Sequence, residues 1–284
     1  MAEDFRAGVR MRRIGRELRK WRNEGDLKLA DVTKRLRWST SKLSKIENAA
    51  QTITVIDVLA LALVYSVPEA ERDRLSNAVL TAQEPGWWQQ YGDDVLYEAT
   101  QDFVELEADA AAERTFTAQL VPGLFQTESY VAALGRAWVP QPSATTVANR
   151  TEVRRTRQSR LTGDRSLSVE AVIWEPALRQ GVGGPDVMRE QLTHLGKLSQ
   201  LPNVSIQVLP LGTGAFPAMG SGFELLSFTE PHLDDVVYEE HLTHGIYLEE
   251  PEEVSAYSLN FEGLKATALD PERSRRLIAD AARA

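Results

Sequence analysis

The stretch Trp38-Ser39-Thr40-Ser41-Lys42-Leu43-Ser44-Lys45-Ile46-Glu47-Asn48 decides how this chain is read, because it has the pattern of a helix made to touch something. Ser39 is a favourable N-cap, and in the turns that follow only Leu43 and Ile46 are strongly apolar. At helical spacing these two share a face, while Thr40, Ser41, Lys42, Ser44 and Lys45 point elsewhere. Short hydroxyl and basic side chains on the free face of a short helix can bond base edges and neutralise phosphates. An ordinary solvated helix would show the same pattern, so the residues around the stretch have to decide.

Upstream, residues 10–23 predict a helix with Ile14, Leu18 and Trp21 in one stripe, ringed by Arg12, Arg13, Arg16, Arg19 and Lys20 and ended by Gly25. A shorter helix is expected over 29–36, with Leu29, Val32 and Leu36 inward and Ala30 small enough for a crossing helix to approach. Arg37 and Trp38 then turn the chain into the quoted stretch. Downstream, the polar loop 49–52 precedes an apolar helix over 53–65 that would floor the core. A short helix, a tight turn and a second short helix opened by Ser is the order of a helix-turn-helix, in which the second helix enters the groove.

Charge separates the chain into two parts. Residues 1–66 carry 14 Lys and Arg against 8 Asp and Glu, a net of +6, and the rest carries 18 against 33, a net of −15. A basic module for a polyanion joined to an acidic module that a polyanion would repel is the simplest reading. At 284 residues the chain has length for two domains. It has no cysteine, which removes disulfides, thiolate nucleophiles and cysteine zinc sites. The first residues carry acids and lead into arginines, so no secretory signal is expected. The longest apolar run, 58–65, falls far short of the roughly 20 residues a bilayer requires, and a cytoplasmic, nucleoid-associated location is expected.

The segment Lys28-Leu29-Ala30-Asp31-Val32-Thr33-Lys34-Arg35-Leu36-Arg37-Trp38, continued by the quoted stretch to Asn48, resembles the helix-turn-helix of the Cro/cI or XRE-type regulators. Their motif ends in Ser-x-x-x-(Leu/Ile)-Ser-(Lys/Arg)-Ile-Glu-Asn. The resemblance implies that Thr40, Ser41 and Lys45 read bases while Lys42, Ser44 and Asn48 lie nearer the phosphates. It also implies that Glu47 is structural and pairs with a basic residue at the end of the first helix, for which Arg22 is the candidate. A carboxylate facing phosphates would be repelled, which agrees. The chain departs from the family at four places. Arg37 stands where Gly is common in the turn, and Ala49 where Gly often follows the Glu-Asn pair. Lys28 replaces a capping Thr or Ser, leaving Asp26 or water to satisfy the first amides of its helix, and Leu29 replaces a phosphate-contacting Gln.

Pro68 opens a polar helical segment, 69–83, which Glu84-Pro85-Gly86 ends before the aromatic cluster Trp87-Trp88-Gln89-Gln90-Tyr91. Packing of these rings against a domain is preferred to an aromatic ligand cage. Beyond Asp93, helices are expected at 95–112, 126–135, 143–161, 186–200, 252–268 and 271–282, the last with Asp270 as N-cap. Strands are expected at 114–120, 167–174, 204–209, 222–228 and 235–240, with 245–248 as an edge. The expected fold is α+β: an all-α helix-turn-helix domain over 1–67, a helical linker with the aromatic cluster over 68–92, and a mixed α/β domain over 93–284.

The segments Phe103-Val104-Glu105-Leu106-Glu107-Ala108-Asp109-Ala110, Leu120-Val121-Pro122-Gly123-Leu124-Phe125-Gln126-Thr127, Leu201 to Pro210 and Tyr247 to Val254 resemble signatures of an actinobacterial, WhiJ-like group. Its members fuse an XRE-type domain to a shared carboxy-terminal domain of unknown function. The resemblance implies a transcription factor, often encoded beside a small BldB-like protein proposed as its partner, and sometimes described as antitoxin-like.

Between Lys197 and Lys265 there is no Lys or Arg, whereas Glu224, Glu230, Asp234, Asp235, Glu239, Glu240, Glu249, Glu250, Glu252, Glu253 and Glu262 are acidic. This stretch reads as an acidic surface that cannot lie along a duplex, either merely solvated or a dock for a basic partner or the chain's own arginines. Arg150, Arg154 and Arg157 fall at helical spacing and could meet those acids, a partner protein or an anionic ligand. His241 and His244 lack the further converging ligands that zinc needs, and the glycines at 212, 214, 220 and 222 lack the Lys-Ser/Thr pair of a phosphate loop. No nucleophile stands beside a base, so no enzyme and no cofactor is expected. The expected function is a sequence-specific transcriptional regulator, a repressor acting as a homodimer on a double-stranded operator, controlled through its carboxy-terminal domain by a small partner protein or ligand. The alternative is an antitoxin-like module that sequesters a small partner and binds DNA for autoregulation.

Overall fold

The computed structural model describes residues 7–229, 234–242 and 244–283, so the acidic opening at Glu3 and Asp4 and the acid at Glu230 lie outside the described residues. Two compact units divide between Gln89 and Gln90. In the first, five helices follow one another: α1 (Val9–Glu24), α2 (Leu29–Leu36), α3 (Thr40–Glu47), α4 (Val55–Tyr65) and α5 (Glu69–Gln83). Their core is made of Ile14, Leu18, Trp21, Val32, Leu43, Ile46, Ile53, Val58 and Leu61, all buried. The helix expected in a linker, α5, adds Leu75 and Val79 to that core, because these two repeat at i and i+4 on an otherwise polar segment. The aromatic cluster follows as a 3₁₀ turn, with Trp88 buried, Trp87 edge-on to it at 5.8 Å and the Arg10 guanidinium 5.2 Å from its ring.

The second unit is built on a six-stranded sheet. The strands β1 (Ala112–Thr117), β2 (Ser168–Trp174), β3 (Val204–Leu209), β4 (Phe223–Ser227), β5 (Val236–Glu240) and β6 (Gly245–Leu248) lie in the order β3-β2-β1-β4-β5-β6. β1, β2 and β3 run parallel, and β4, β5 and β6 antiparallel. The parallel half needs long crossovers, which supply α7 (Glu128–Ala137), α8 (Ala144–Gln158), the short α9 (Glu175–Arg179) and α10 (Pro185–Leu198). Helix α6 (Glu98–Asp109) precedes the sheet, and α11 (Pro251–Thr267) and α12 (Pro271–Arg283) follow it.

Because side chains alternate along a strand, one face of the sheet presents Phe116, Val172, Leu209, Phe223, Leu225 and Val237, which pack on Phe261 and Leu264 of α11. Across the other face, Thr115, Glu224, Tyr238 and Tyr247 stand directly opposite one another, and Phe103 of α6 stacks on Tyr238 at 4.8 Å. The edge strand β3 is closed by the chain itself: the Val208 N–H donates to Ser274 Oγ at 2.8 Å and the Leu269 N–H to Val208 O at 2.9 Å. Asp270 caps α12 by accepting from the Arg273 N–H at 2.8 Å.

Several boundaries differ from expectation. The helix expected over 95–112 is Glu98–Asp109, and the strand expected over 114–120 is Ala112–Thr117. Ala110 is already extended, and the Ala111 N–H bonds Ser227 O at 2.8 Å, so pairing with β4 takes residues that propensity would give to a helix. No helix among the described residues is long and apolar enough to cross a membrane.

Candidate nucleic-acid interface

Helix α3 starts where Ser39 ends the turn: Ser39 Oγ accepts from the Lys42 N–H at 3.1 Å. Leu43, Ile46 and Glu47 are buried, whereas Thr40, Ser41, Lys45 and Asn48 are exposed and Lys42 and Ser44 are half-buried. The inward residues anchor α3 on α1, where Gly15 lets the backbones meet. A methyl group at Gly15 would lie 2.9 Å from Ile46 O and 3.0 Å from Glu47 O.

Charge fixes the same end of the helix. Arg22 grips Glu47 with two parallel bonds, Nε to Oε1 at 2.6 Å and Nη2 to Oε2 at 2.9 Å, and its Nη1 donates to Leu27 O at 3.0 Å. The Glu47 hydrogen bonds hold the guanidinium above its ordinary pKa, although burial works the other way. Burial beside the Glu47 charge also pushes the Tyr65 hydroxyl upward. This pair joins the end of α1 to the end of α3 and turns the carboxylate away from the exposed face.

The turn is made without glycine. Arg37 takes the left-handed conformation, φ 55 and ψ 37, and the Trp38 N–H closes the end of α2 on Thr33 O at 3.0 Å. Ala49 does the same after α3 with φ 49, and the Ala50 N–H reaches back to Lys45 O at 2.7 Å. At the start of α2 the Asp31 carboxylate accepts from the Lys28 N–H at 3.2 Å, which satisfies the N-cap amide, while Lys28 offers no side-chain cap to the first amides of the helix. Asp26 itself adopts a positive φ of 51.

Three residues grouped as phosphate-facing have partners within the unit. The Lys42 ammonium lies 2.9 Å from Asp57 and 3.8 Å from the centre of the Trp38 ring. Asp57 in turn closes a capping box with Thr54 at the start of α4, accepting from the Thr54 N–H at 3.1 Å while its own N–H bonds Thr54 Oγ1 at 3.2 Å. Asn48 Nδ2 donates to Ser44 O at 2.8 Å, which ties both to the closing turn of α3. Lys45 is exposed and pairs with no acid among the described residues, and Lys34, Arg35 and Arg37 are exposed just before α3. The link between Lys42 and Asp57 had no signal in the sequence, since it depends on α4 crossing the base of α3.

In the second unit the three arginines at helical spacing serve different ends. Arg157 pairs with Glu107 of α6 through two bonds of 2.7 Å, Arg154 donates to Gln126 Oε1 at 2.9 Å, and Arg150 to Asp94 O at 2.8 Å. Nor is the acidic stretch uniformly a surface: Glu224 is half-buried opposite Thr115 and Tyr238, where the charges of Glu107 on α6 and Arg157 on α8 act on it. His241 and His244 stack with centroids 5.0 Å apart, and no group of three metal-binding side chains occurs among the described residues.

Two family models match the chain. Residues 13–75 match a helix-turn-helix domain, an architecture of DNA-binding proteins, and residues 100–280 match a domain of unknown function, DUF5753. No curated protein and no solved structure matches the chain. The carboxy-terminal match spans well over half of the 284 residues, and the chain belongs to the DUF5753 family, joined here to an amino-terminal helix-turn-helix domain.

Proposed function

We propose that this chain is a sequence-specific transcriptional regulator, a repressor of the XRE type and the WhiJ-like group, that lays α3 in the major groove. The observation that carries the reading is the division of α3 itself. Leu43, Ile46 and Glu47 are buried against α1, and Thr40, Ser41 and Lys45 face outward with no internal partner for the Lys45 ammonium among the described residues. Thr40, Ser41 and Lys45 are the proposed base readers. Ser44, Asn48 and Lys42 are proposed to flank the phosphates, with Lys42 contributing least because Asp57 already balances it. Two copies would bind half-sites about one helical turn apart.

The second unit is proposed to receive the controlling signal. Glu250, Glu252 and Glu253 are exposed at the start of α11, which suits a small basic partner protein and keeps this face off the duplex. Selection of genomic DNA fragments on the purified chain tests the proposal. A recurring inverted repeat is the expected result, and fragments retained without any shared sequence would contradict it.

A further inference from the structure

The face of the sheet under α6 and α8 holds more buried carboxylate than the fold uses. Glu107 is satisfied by Arg157 through its two oxygens. Glu113 of β1 is 3% exposed, and its Oε2 has no hydrogen-bond partner. Thr115, two residues along the same strand and on the same face, is 1% exposed, and its Oγ1 is likewise unpartnered. Glu224 stands directly across from Thr115 and keeps some access to solvent. Buried polar atoms in native proteins are almost always bonded, so two unpaired oxygens on one face of one strand mark a place where a partner is missing.

The neighbours indicate which donors. Beside Glu224, the ring of Tyr238 lies between Phe103 at 4.8 Å and Tyr247 at 4.9 Å, an aromatic wall next to the acids. Tyr97 donates to Glu240 at 2.8 Å at the same end of β5. Carboxylate and hydroxyl oxygens with hydrogen bonds left unmade, set against π-faces, are the surroundings that favour a nitrogen cation with N–H groups. We propose that this face is a binding site for a small organic cation bearing an ammonium or guanidinium group, with Glu113, Glu224 and Thr115 accepting its hydrogen bonds.

The electrostatics agree with that geometry. Burial, with the charges of Glu240 and Glu107 added and Arg157 opposing, pushes Glu224 up to about 8, and Glu239 acts in the same sense. Burial and the charge of Glu107 raise Glu113 as well, against the opposing charge of Arg157. With its pKa raised, Glu224 gives up a proton when a further cation arrives, and that proton goes to the buffer.

The site deepens, and rests on, the reading of the second unit as the part that receives a signal. Calorimetry on the full chain with agmatine as probe tests it, in two buffers of different ionisation enthalpy, with tetramethylammonium and inorganic phosphate as comparisons. Agmatine is expected to bind with proton release and more tightly than tetramethylammonium, which has no N–H. Glu224→Gln should weaken it about tenfold or more and abolish the proton release. Thr115→Val should also weaken binding while raising the melting temperature, since it removes an unpaired buried hydroxyl; a merely structural role would give the second effect without the first. No agmatine binding at millimolar concentration, or binding unchanged in both variants, overturns the site, as does binding of phosphate in its place. DNA binding measured with and without agmatine separates the two readings: agmatine bound with operator affinity unchanged removes the regulatory role and leaves the site, whereas no agmatine binding removes the site and leaves control by a protein partner.

Discussion

Each unit of this chain buries an arginine against a glutamate with the same two-bond geometry, yet the two pairs stand in different surroundings. Arg22 and Glu47 meet one charge against one, with the Tyr65 hydroxyl beside them. Arg157 and Glu107 share their site with Glu113 and Glu224, so one guanidinium faces three carboxylic groups. There, burial works against the Arg157 charge, but Glu107, Glu113 and Glu224 together raise its pKa. Arg154, close by, is brought down to about 10 by burial and by the charge of Arg157. A balanced buried pair serves as a fixture between two helices. An unbalanced one leaves groups that the fold alone does not satisfy.

If the first pair is a fixture, breaking it carries the largest cost. Glu47→Gln leaves the Arg22 charge buried and should destabilise the amino-terminal unit by about 3–5 kcal/mol in denaturant titration, with most of the loss recovered in Arg22→Met/Glu47→Leu. A loss under about 1 kcal/mol would mean the pair behaves as a surface ion pair.

The second pair predicts a pH effect. The folded-state pKa of Glu224, about 8, lies above its ordinary 4.5, so the folded chain holds this proton more tightly than the unfolded chain. The resulting stability is fully present below 4.5 and is lost as the pH rises through about 8. Glu224→Gln should flatten the fall in stability over that interval, and an unchanged profile would place the carboxylate in solvent.

Two smaller effects probe how α3 is seated. Gly15→Ala pushes a methyl group against backbone carbonyls at 2.9 and 3.0 Å and should cost about 1–3 kcal/mol by thermal or chemical denaturation. Ala49→Gly relieves a left-handed residue and should stabilise the unit by about 1 kcal/mol. Destabilisation by this change would show that the buried methyl of Ala49 outweighs the strain.

Much of the fold was legible because its signals are local. The bounds of α2, β3 and β6 follow directly from apolar spacing and flanking turn residues, and Ser39 and Asp270 are caps that any reading of helix starts would find. The strand order was not legible, since pairing β1 with both β2 and β4 is decided across intervals of some fifty to a hundred residues. Short α9 has no signal in the sequence, because five residues beginning Glu-Pro carry no helical period. For the candidate interface, helical phase alone gives the exposure of Thr40, Ser41 and Lys45, but the turning of Lys42 toward Asp57 depends on how α4 packs. Glu224 misleads for a physical reason. A glutamate in an acid-rich stretch is ordinarily solvated, and only its register opposite Thr115 and Tyr238 leaves it half-buried.

In the function proposed, the outward side chains of α3 read sequence while its inward ones hold it in place. The most direct test measures the affinity of the wild-type chain and of Thr40→Ala/Lys45→Ala for a selected operator and for a shuffled duplex of the same composition, across a range of salt concentrations. The double variant is expected to stay folded, to lose roughly 1–3 kcal/mol of discrimination per base contact removed, and to keep most of its affinity for the shuffled duplex. Discrimination equal to that of the wild type would contradict it.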